Sequence, residues 1–320
     1  MEDYNSFWPV YKNFEEETIE LTKFINFSDD QLKVYSMHIA DLIMRIVVEI
    51  EALSKELYRT NNGPDVFDDN NNKRELFFDT DCIGYLNSNW GICNREIIVS
   101  CANFNFTNQE YKILKPLKNA NKRGTSSAKW NKAYQAVKHD RRKNLFKGNI
   151  ENLISGLGAL YILNLYYRND NLFFRNDNSI KSSFDNRFGS DIFAATFADA
   201  SKASVNTDNS DNSINKEERA KLATTLCVIK YTDDSWEEMH KELFEYNHKI
   251  INELIQEPQF KQKLNERVGN LTNQTSKIIK SIIEEMQMEY VKKKPPIKLA
   301  RLMSNGQKEI ILNKGQAIYK

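Results

Sequence analysis

The chain has 320 residues, of which 40% are hydrophobic and 28% are charged. This composition is that of a globular protein and excludes a wholly disordered chain. Because only 11 glycines and 6 prolines interrupt it, the sequence favours a mainly α fold over an all-β fold with many turns. The length is sufficient for two domains.

The net charge of +1 conceals an uneven distribution of charge along the chain. Residues 112–147 contain twelve Lys and Arg residues and one acidic residue, Asp140, so this segment has a net charge of +11. Residues 291–308 carry six basic residues and no acidic one, and the rest of the chain has a net charge of −16. Two basic segments on an acidic protein indicate a polyanion-binding surface, although solvated helix faces and loops are the alternative.

Several classes of site have no signature in the sequence. The four cysteines form no Cys-x-x-Cys pair and lack zinc-ligand spacing to a histidine, and no glycine-rich phosphate-binding motif is present. The N-terminus does not have the charge order of a signal peptide, and the longest charge-free apolar run, residues 152–167, is too short for a spanning helix. We therefore predict a cytoplasmic protein without a membrane, metal or cofactor site.

Apolar residues recur at helical spacing through much of the first half of the chain. The helices predicted there cover residues 15–27, 31–58, 80–90 and 149–168. Ser28 offers an N-cap for the long second helix, and a loop rich in Asn, Asp and Gly follows that helix at residues 61–73. The last helix is apolar on nearly every side, which predicts a central core helix. Residues 95–106 fit either a strand or a buried helical turn.

The second half begins with a polar stretch and continues with helices. Residues 186–216 form the predicted flexible segment, because the Asn, Asp and Ser of residues 204–215 cannot bury enough apolar area to stay ordered. Predicted helices cover residues 236–256, with an N-terminal capping box, and residues 270–294; residues 308–319 could form a small hairpin. The predicted domains are a helical bundle at 1–185, the polar segment at 186–216 and a helical C-terminal region at 217–320.

The first basic segment contains the strongest candidate for a functional site. On a helix over residues 130–142, one stripe would anchor to the core and a second would face outwards. The anchoring stripe comprises Trp130, Tyr134, Val137 and Arg141, and the outward stripe comprises Lys132, Gln135, His139 and Arg142.

Cleavage of RNA by its own 2′-hydroxyl could use the outward stripe. Histidine transfers protons near neutral pH, which makes His139 the candidate acid or base, and cations are needed where the phosphate gathers negative charge. The candidate phosphate contacts are Lys132, Arg141 and Arg142, and the candidate substrate-binding residues are Tyr134, Gln135, Lys138 and Lys143. This chemistry requires no metal. One helix supplies a single acid or base, so a second would come from the partner copy of a homodimer.

The order of these features resembles the HEPN superfamily of small helical bundles. The resemblance covers roughly residues 15–170: a long helix with internal glutamates, a helix ending in Lys138-His139-Asp140-Arg141, and an apolar helix. Many members are metal-independent ribonucleases of toxin–antitoxin, abortive-infection and anti-phage systems, and others are inactive binding modules. The resemblance therefore implies a homodimeric RNA-acting protein of bacterial defence, with a possible antitoxin or other protein partner.

Members of the superfamily carry an arginine separated from the motif histidine by four to six residues, and here the sequence departs from that pattern. His139 matches the histidine, but the arginine positions hold Tyr134 or Lys132, and lysine lacks the bidentate fork of arginine. Gln135 matches the polar residue that often follows the arginine, and Arg141 is a possible substitute for the missing cation.

Two other classes of function remain open from the sequence. The same basic surface could hold nucleic acid or an acidic partner protein without catalysis, with His139 in a structural role. Alternatively, the helices of residues 236–294 could pair with another chain in an assembly.

Overall fold

A computed structural model describes residues 6–169, 172–174, 185–200, 220–268 and 275–315, and helix predominates in these ranges. The helices are α1 Phe7–Leu21, α2 Met37–Thr60, α3 Gly84–Trp90, α4 Gln109–Lys112, α5 Lys129–His139, α6 Arg141–Asn144, α7 Ile150–Arg168, α8 Asp233–Gln256, α9 Pro258–Val268, α10 Thr275–Lys293 and α11 Ile297–Asn305. The strands are β1 Phe27–Ser28, β2 Ile97–Val99, β3 Phe104–Asn105, β4 Ile113–Leu114, β5 Leu172–Phe174, β6 Phe193–Ala195, β7 Phe197–Asp199, β8 Cys227–Tyr231 and β9 Lys308–Leu312. The mainly α fold is confirmed, with small sheets added to it.

Helix α7 lies at the centre of the main core, as its all-round apolar sequence predicts. It packs against α1, α2 and α5. Its N-cap is Asn149, whose side chain accepts a hydrogen bond from the Asn152 amide. Residues on every face of α7 are buried, which leaves no amphipathic stripe and confirms the prediction of a core helix.

The first two predicted helices form, but both have different bounds. Helix α1 runs over Phe7–Leu21 rather than residues 15–27, because Phe27 enters strand β1 and pairs with Phe104. Helix α2 begins at Met37 rather than residue 31: Ser36, not Ser28, is its N-cap, and the Ser36 hydroxyl accepts from the Ile39 amide. Before α3, residues Phe78–Ile83 form a π-helical segment that continues into the predicted short helix.

Three small sheets complete the described fold. Residues 95–106, for which the sequence allowed two interpretations, contain strands β2 and β3. Strand β2 is central to an antiparallel sheet ordered β4-β2-β6, and β3 pairs with β1 in parallel. A four-stranded sheet ordered β5-β9-β8-β7 has one parallel pair, β7 with β8. Long-range pairing therefore connects segments that are distant in sequence.

The predicted polar segment 186–216 is structured at its start. Its residues up to 200 include strands β6 and β7, and Ile192 and Phe193 are fully buried in the main core. Residues 204–215 lie outside the described ranges. Strands β8 and β9 bring Cys227, Ile310 and Leu312 into the same core, so that core draws on residues well beyond 185.

The C-terminal region is helical, as predicted, with a second core of its own. Helix α8 starts at Asp233 after the N-cap Thr232, and α10 covers Thr275–Lys293. Helix α9, which was not predicted from the sequence, lies between them in the chain. The second core consists of Ile250, Leu254, Phe260, Ile282, Met286 and Tyr290. Of the predicted hairpin at residues 308–319, the first part is strand β9, which lies between β5 and β8, and residues 316–319 are outside the described ranges.

None of the helices in the described ranges is both long and apolar enough to cross a membrane.

Candidate nucleic-acid interface

Helix α5 is anchored to the main core by one face. Trp130 is fully buried and its indole Nε1 donates to the Pro116 carbonyl at 2.8 Å. Tyr134 and Val137 lie one and two turns further on and are buried as well, as the helical spacing predicts. Because the anchor fixes the rotation of the helix, Lys132 and His139 are held on its exposed side.

The helix ends at His139, before the two arginines. Asp140 has φ −150° and ψ 84°, which is outside the helical region, and its carboxylate accepts from the Lys143 amide at 3.1 Å as the N-cap of α6. Arg141 and Arg142 therefore belong to a separate helical turn. The predicted stripes are wrong at these two positions: Arg141 is exposed rather than anchored with Trp130, and Arg142 does not continue the outward stripe of α5.

The remaining predicted site residues differ in their access to solvent. Tyr134 is only 6% exposed, and the Lys138 ammonium lies 5.4 Å from its ring centroid. Gln135 is partly buried, whereas Lys138 and Lys143 are exposed. A nucleotide could therefore reach Lys138 and Lys143, but the Tyr134 ring packs against the core.

Acidic residues neutralise part of the first basic segment. Lys115 pairs with Glu96, Arg123 with the buried Asp79, and Lys129 with Glu151. Glu151 also pairs with Lys33. These pairs fasten Lys115, Arg123 and Lys129 to the residue before β2, to the π-helical segment and to α7, respectively.

Cations without an acidic partner are concentrated on α5 and the turns that follow it. Within the described ranges, five basic residues here form no ion pair, and Lys143 has one weak pair with Asp140, at 3.7 Å. The five residues are Lys132, Lys138, Arg141, Arg142 and Lys147. We call this group the α5–α6 cation cluster. Its members lie on neighbouring elements, because α5 contacts α6 and residues 145–147.

His139 lies between members of this cluster. Its side chain is exposed, and no hydrogen bond, ion pair or ring contact to it occurs among the described residues. It occupies the last position of α5. The imidazole is thus accessible and close in sequence to unpaired cations, and no carboxylate of the described residues orients it.

Glutamates on α2 do not meet this surface through ion pairs. Glu51 pairs with Lys55 on its own helix, and Glu49 is partly buried, which raises the pKa of its carboxyl group.

The second basic segment is more fully neutralised. Lys294 pairs with Glu253, Lys298 with Glu242 and Lys308 with Asp199. Lys292 and Lys293 are exposed at the end of α10 and have no ion pair among the described residues. The charge available to a ligand is therefore greater at the α5–α6 cation cluster.

Two exposed aromatic residues near the cluster have no counterpart among the site residues predicted from the sequence. Phe146 is 53% exposed directly after α6, and Tyr35 is 51% exposed before α2. The position of Phe146 between cations was a usable signal in the sequence. Tyr35 is more than 100 residues away and could be placed there only by the fold.

The described residues contain no group of three or more His, Cys, Asp or Glu side chains arranged to hold a metal ion. Burial raises the pKa of all four cysteine thiols, to about 12 for Cys82 and about 11 for Cys93. These thiols are packing residues, since a reactive cysteine needs an accessible thiolate.

The helices of the C-terminal region direct most of their apolar stripe towards one another. Ile250 and Leu254 of α8 are buried against Ile282 and Met286 of α10. Leu243, Phe244 and Ile255 remain exposed on α8. The stripe considered for pairing with another chain is thus largely occupied within this one.

Comparison of this chain with family models, with curated protein sequences and with solved structures gives no match.

Proposed function

We propose that this chain acts on RNA, which it binds through the α5–α6 cation cluster. The observation that supports this proposal is the concentration of unpaired cations: acids pair with Lys115, Arg123 and Lys129, whereas the five members of the cluster form no ion pair among the described residues. Unneutralised cations on one surface repel one another, and a phosphate backbone removes that repulsion while releasing counterions.

The helical arrangement is compatible with the resemblance to the HEPN superfamily. Helices α2, α5 and α7 pack against one another, and the motif histidine lies at the exposed end of the middle one. On this basis we propose a HEPN-like bundle that functions as a homodimer in bacterial defence against phage. A protein partner such as an antitoxin would belong to the same proposal.

Metal-independent cleavage of the bound RNA is a second candidate, favoured by the accessibility of His139. In this reaction the imidazole removes the proton from a 2′-hydroxyl, the resulting oxyanion attacks the adjacent phosphorus, and the bond to the 5′-oxygen breaks. Arg141, Arg142 or Lys132 would stabilise the charge on the phosphate. The leaving 5′-oxygen needs a proton from a second acid, which the partner copy of His139 could supply in a homodimer.

The experiment is an RNA-binding and cleavage assay in EDTA with a mixed pool of RNA. Its variants are His139→Ala, the double variant Arg141→Gln/Arg142→Gln, and Lys292→Gln/Lys293→Gln, which removes the same charge from the second basic segment. We expect the arginine pair to lose affinity and the lysine pair to keep it. Equal affinity of all four proteins would contradict RNA binding at the cluster.

Cleavage and binding are separated by the histidine variant. If wild type cleaves in EDTA and His139→Ala binds without cleaving, the ribonuclease candidate is supported. If wild type binds RNA and does not cleave it, the binding function stands alone and His139 has no catalytic role.

A further inference from the structure

Beside the α5–α6 cation cluster, two exposed aromatic residues belong to segments that are distant in the chain and are joined by hydrogen bonds. Tyr35 forms an antiparallel bridge with Asn149, and the Ile150 amide donates to the Val34 carbonyl at 3.1 Å. The side chain of Asn149 in turn donates to the Phe146 carbonyl at 3.1 Å. One asparagine thus connects the segment that carries Tyr35 to the turn that carries Phe146.

The position of this turn is fixed by close packing. A Cβ atom on Gly148 would lie 2.6 Å from the Ala40 Cβ and 2.9 Å from its Cα, so only glycine allows the turn to approach the first turn of α2. The side chain of Asn152 also donates to the Lys147 carbonyl at 2.9 Å. Phe146 therefore has a rigid backbone on both sides, although half of its ring faces solvent.

Cations without an acidic partner lie beside Phe146, whereas the cations near Tyr35 in the fold are ion-paired. The Lys147 ammonium lies 5.9 Å from the Phe146 ring centroid, and Arg141 and Arg142 occupy the helical turn immediately before this ring. On the Tyr35 side, Lys33 shares Glu151 with Lys129 of α5. Rings beside a row of cations are the arrangement by which proteins hold single-stranded nucleic acid: the rings stack on bases, and the cations follow the backbone.

We propose that Phe146 and Tyr35 are a base-stacking subsite, and that the RNA bound at the cluster is therefore single-stranded. This inference rests on the proposed RNA binding and adds a substrate class to it. Bases in a duplex are stacked on each other and cannot cover a protein ring, whereas a single strand can present a base face to each of the two rings.

The stacking proposal predicts an order of affinities that charge alone does not. Duplex RNA has the higher density of phosphates, so a purely electrostatic surface binds it at least as tightly as a single strand. Stacking on Phe146 and Tyr35 favours the single strand. Tighter binding of the single strand than of the duplex therefore supports stacking, and equal or weaker binding of the single strand supports charge alone.

The test measures fluorescence anisotropy of a labelled, non-self-complementary RNA, alone and annealed to its complement. Its nucleotides carry 2′-O-methyl groups, so that no 2′-hydroxyl is available for cleavage. We expect wild type to prefer the single strand, and Phe146→Ala to lower that affinity about 5- to 150-fold while changing duplex affinity about 2-fold or less. Tyr35→Ala should have the same direction of effect.

Two further variants test whether a loss of affinity is specific to the aromatic ring at position 146. Phe67→Ala is the matched control, because Phe67 is 52% exposed, nearly as much as Phe146, but lies far from Tyr35. Phe67 is in the loop after the C-terminal end of α2, whereas Tyr35 is next to the N-terminal end of this helix, which is about 36 Å long. It should bind like wild type. Phe146→Trp should retain affinity, and its added indole fluorescence should be quenched by the single strand.

The outcomes distinguish this inference from the function on which it rests. If Phe146→Ala binds the single strand like Phe67→Ala, or loses both RNAs equally, base stacking is refuted. Loss of affinity in Arg141→Gln/Arg142→Gln would then still support RNA binding through cations. If wild type binds neither RNA, the proposed function and the stacking subsite both fail.

Discussion

Glu15 is a fully buried carboxylate whose partners come from two distant segments. It accepts hydrogen bonds from the Tyr11 hydroxyl at 2.8 Å, the Asp191 amide at 2.9 Å and the Ile192 amide at 3.0 Å, and it also meets Ser190 and Lys12. A buried charge is tolerated only when such partners replace water. Glu15 thereby holds the segment of residues 190–192 against α1, next to strand β6.

Removal of this carboxylate should be costly. We expect Glu15→Ala to lower the free energy of unfolding by about 3 kcal/mol or more, because several buried donors and one ammonium lose their acceptor. The neighbouring Glu16 is exposed, and Glu16→Ala should stay within about 0.5 kcal/mol of wild type. Urea denaturation followed by circular dichroism measures both. Similar stability of the two variants would show that the buried network contributes little.

Asp81 provides a test of stability against pH. The Arg74 guanidinium donates to both of its oxygens, at 2.6 and 3.0 Å, and holds the pKa of this carboxyl below its ordinary value of 3.8. A lowered pKa in the folded state means that the stabilisation is present above the unfolded pKa and is lost as pH falls through the folded pKa.

For Asp81→Asn we therefore expect a loss of about 1 kcal/mol near neutral pH. The difference from wild type should shrink as the pH falls below about 4, which is the unfolded pKa of an aspartate. Urea denaturation at a series of pH values measures the difference, and Asp69→Asn, at an exposed position, is the control. A difference that does not change with pH would exclude a contribution from the ionised Asp81.

At the scale of single elements, the local sequence predicts where helices form and which are buried, but it predicts the ends of helices poorly. Helix α7 could be predicted because it is apolar on every side. The start of α2 could not be predicted, because Leu32 and Val34 extend the helical spacing of apolar residues towards the N-terminus. In the structure these two residues precede the helix, and their carbonyls accept hydrogen bonds from amides in the first turn of α7. A tertiary contact therefore overrides the local pattern.

The two possible N-caps of α2 can be compared directly. Ser36 accepts from the Ile39 amide at 3.1 Å, whereas Ser28 lies in strand β1 and forms no side-chain cap. We expect Ser36→Ala to cost about 1 kcal/mol of stability and Ser28→Ala less than about 0.5 kcal/mol. Thermal unfolding measures both, and the reverse order would place the start of the helix at the earlier serine.

At the scale of the whole molecule, the sequence could not reveal which distant segments share a core. The predicted boundary at residue 185 follows a change from apolar to polar composition, but β6, β8 and β9 return to the core around α7 through strand pairing. The pairing partner of a strand is set by tertiary contacts, and the local periodicity of a sequence contains no information about them. Among the described residues, the α8–α10 helices have a separate core.

The candidate site shows the same division between local and long-range information. Charge counting identified the segment 112–147, since the excess of Lys and Arg is a property of the sequence itself. Which of these cations are free depends on the positions of Glu96, Asp79 and Glu151, and these come from other elements. Among the described residues, the fold pairs three cations of residues 112–129 with acids, leaves Lys112, Lys118 and Lys122 unpaired, and gathers five further unpaired cations in the α5–α6 cation cluster.

The salt dependence of RNA binding should report the size of that cluster. For single strands, the logarithm of the binding constant falls with the logarithm of salt concentration with a slope of about −0.7 per phosphate contact. If all five free cations contact phosphates, the slope is about −3.5, and Arg141→Gln/Arg142→Gln should reduce it to about −2. Anisotropy titrations over a range of KCl concentrations give both values.

The same titration with Lys292→Gln/Lys293→Gln decides where the RNA lies. This pair removes an equal charge from the exposed end of α10, so the overall field of the protein changes by the same amount in both double variants. Because screening removes distant contributions within about 10 Å at ordinary salt concentrations, only cations in contact with phosphate should alter the slope. An unchanged slope in the lysine pair places the RNA on the α5–α6 cation cluster, and an equal reduction in both pairs would mean that the RNA contacts both basic segments.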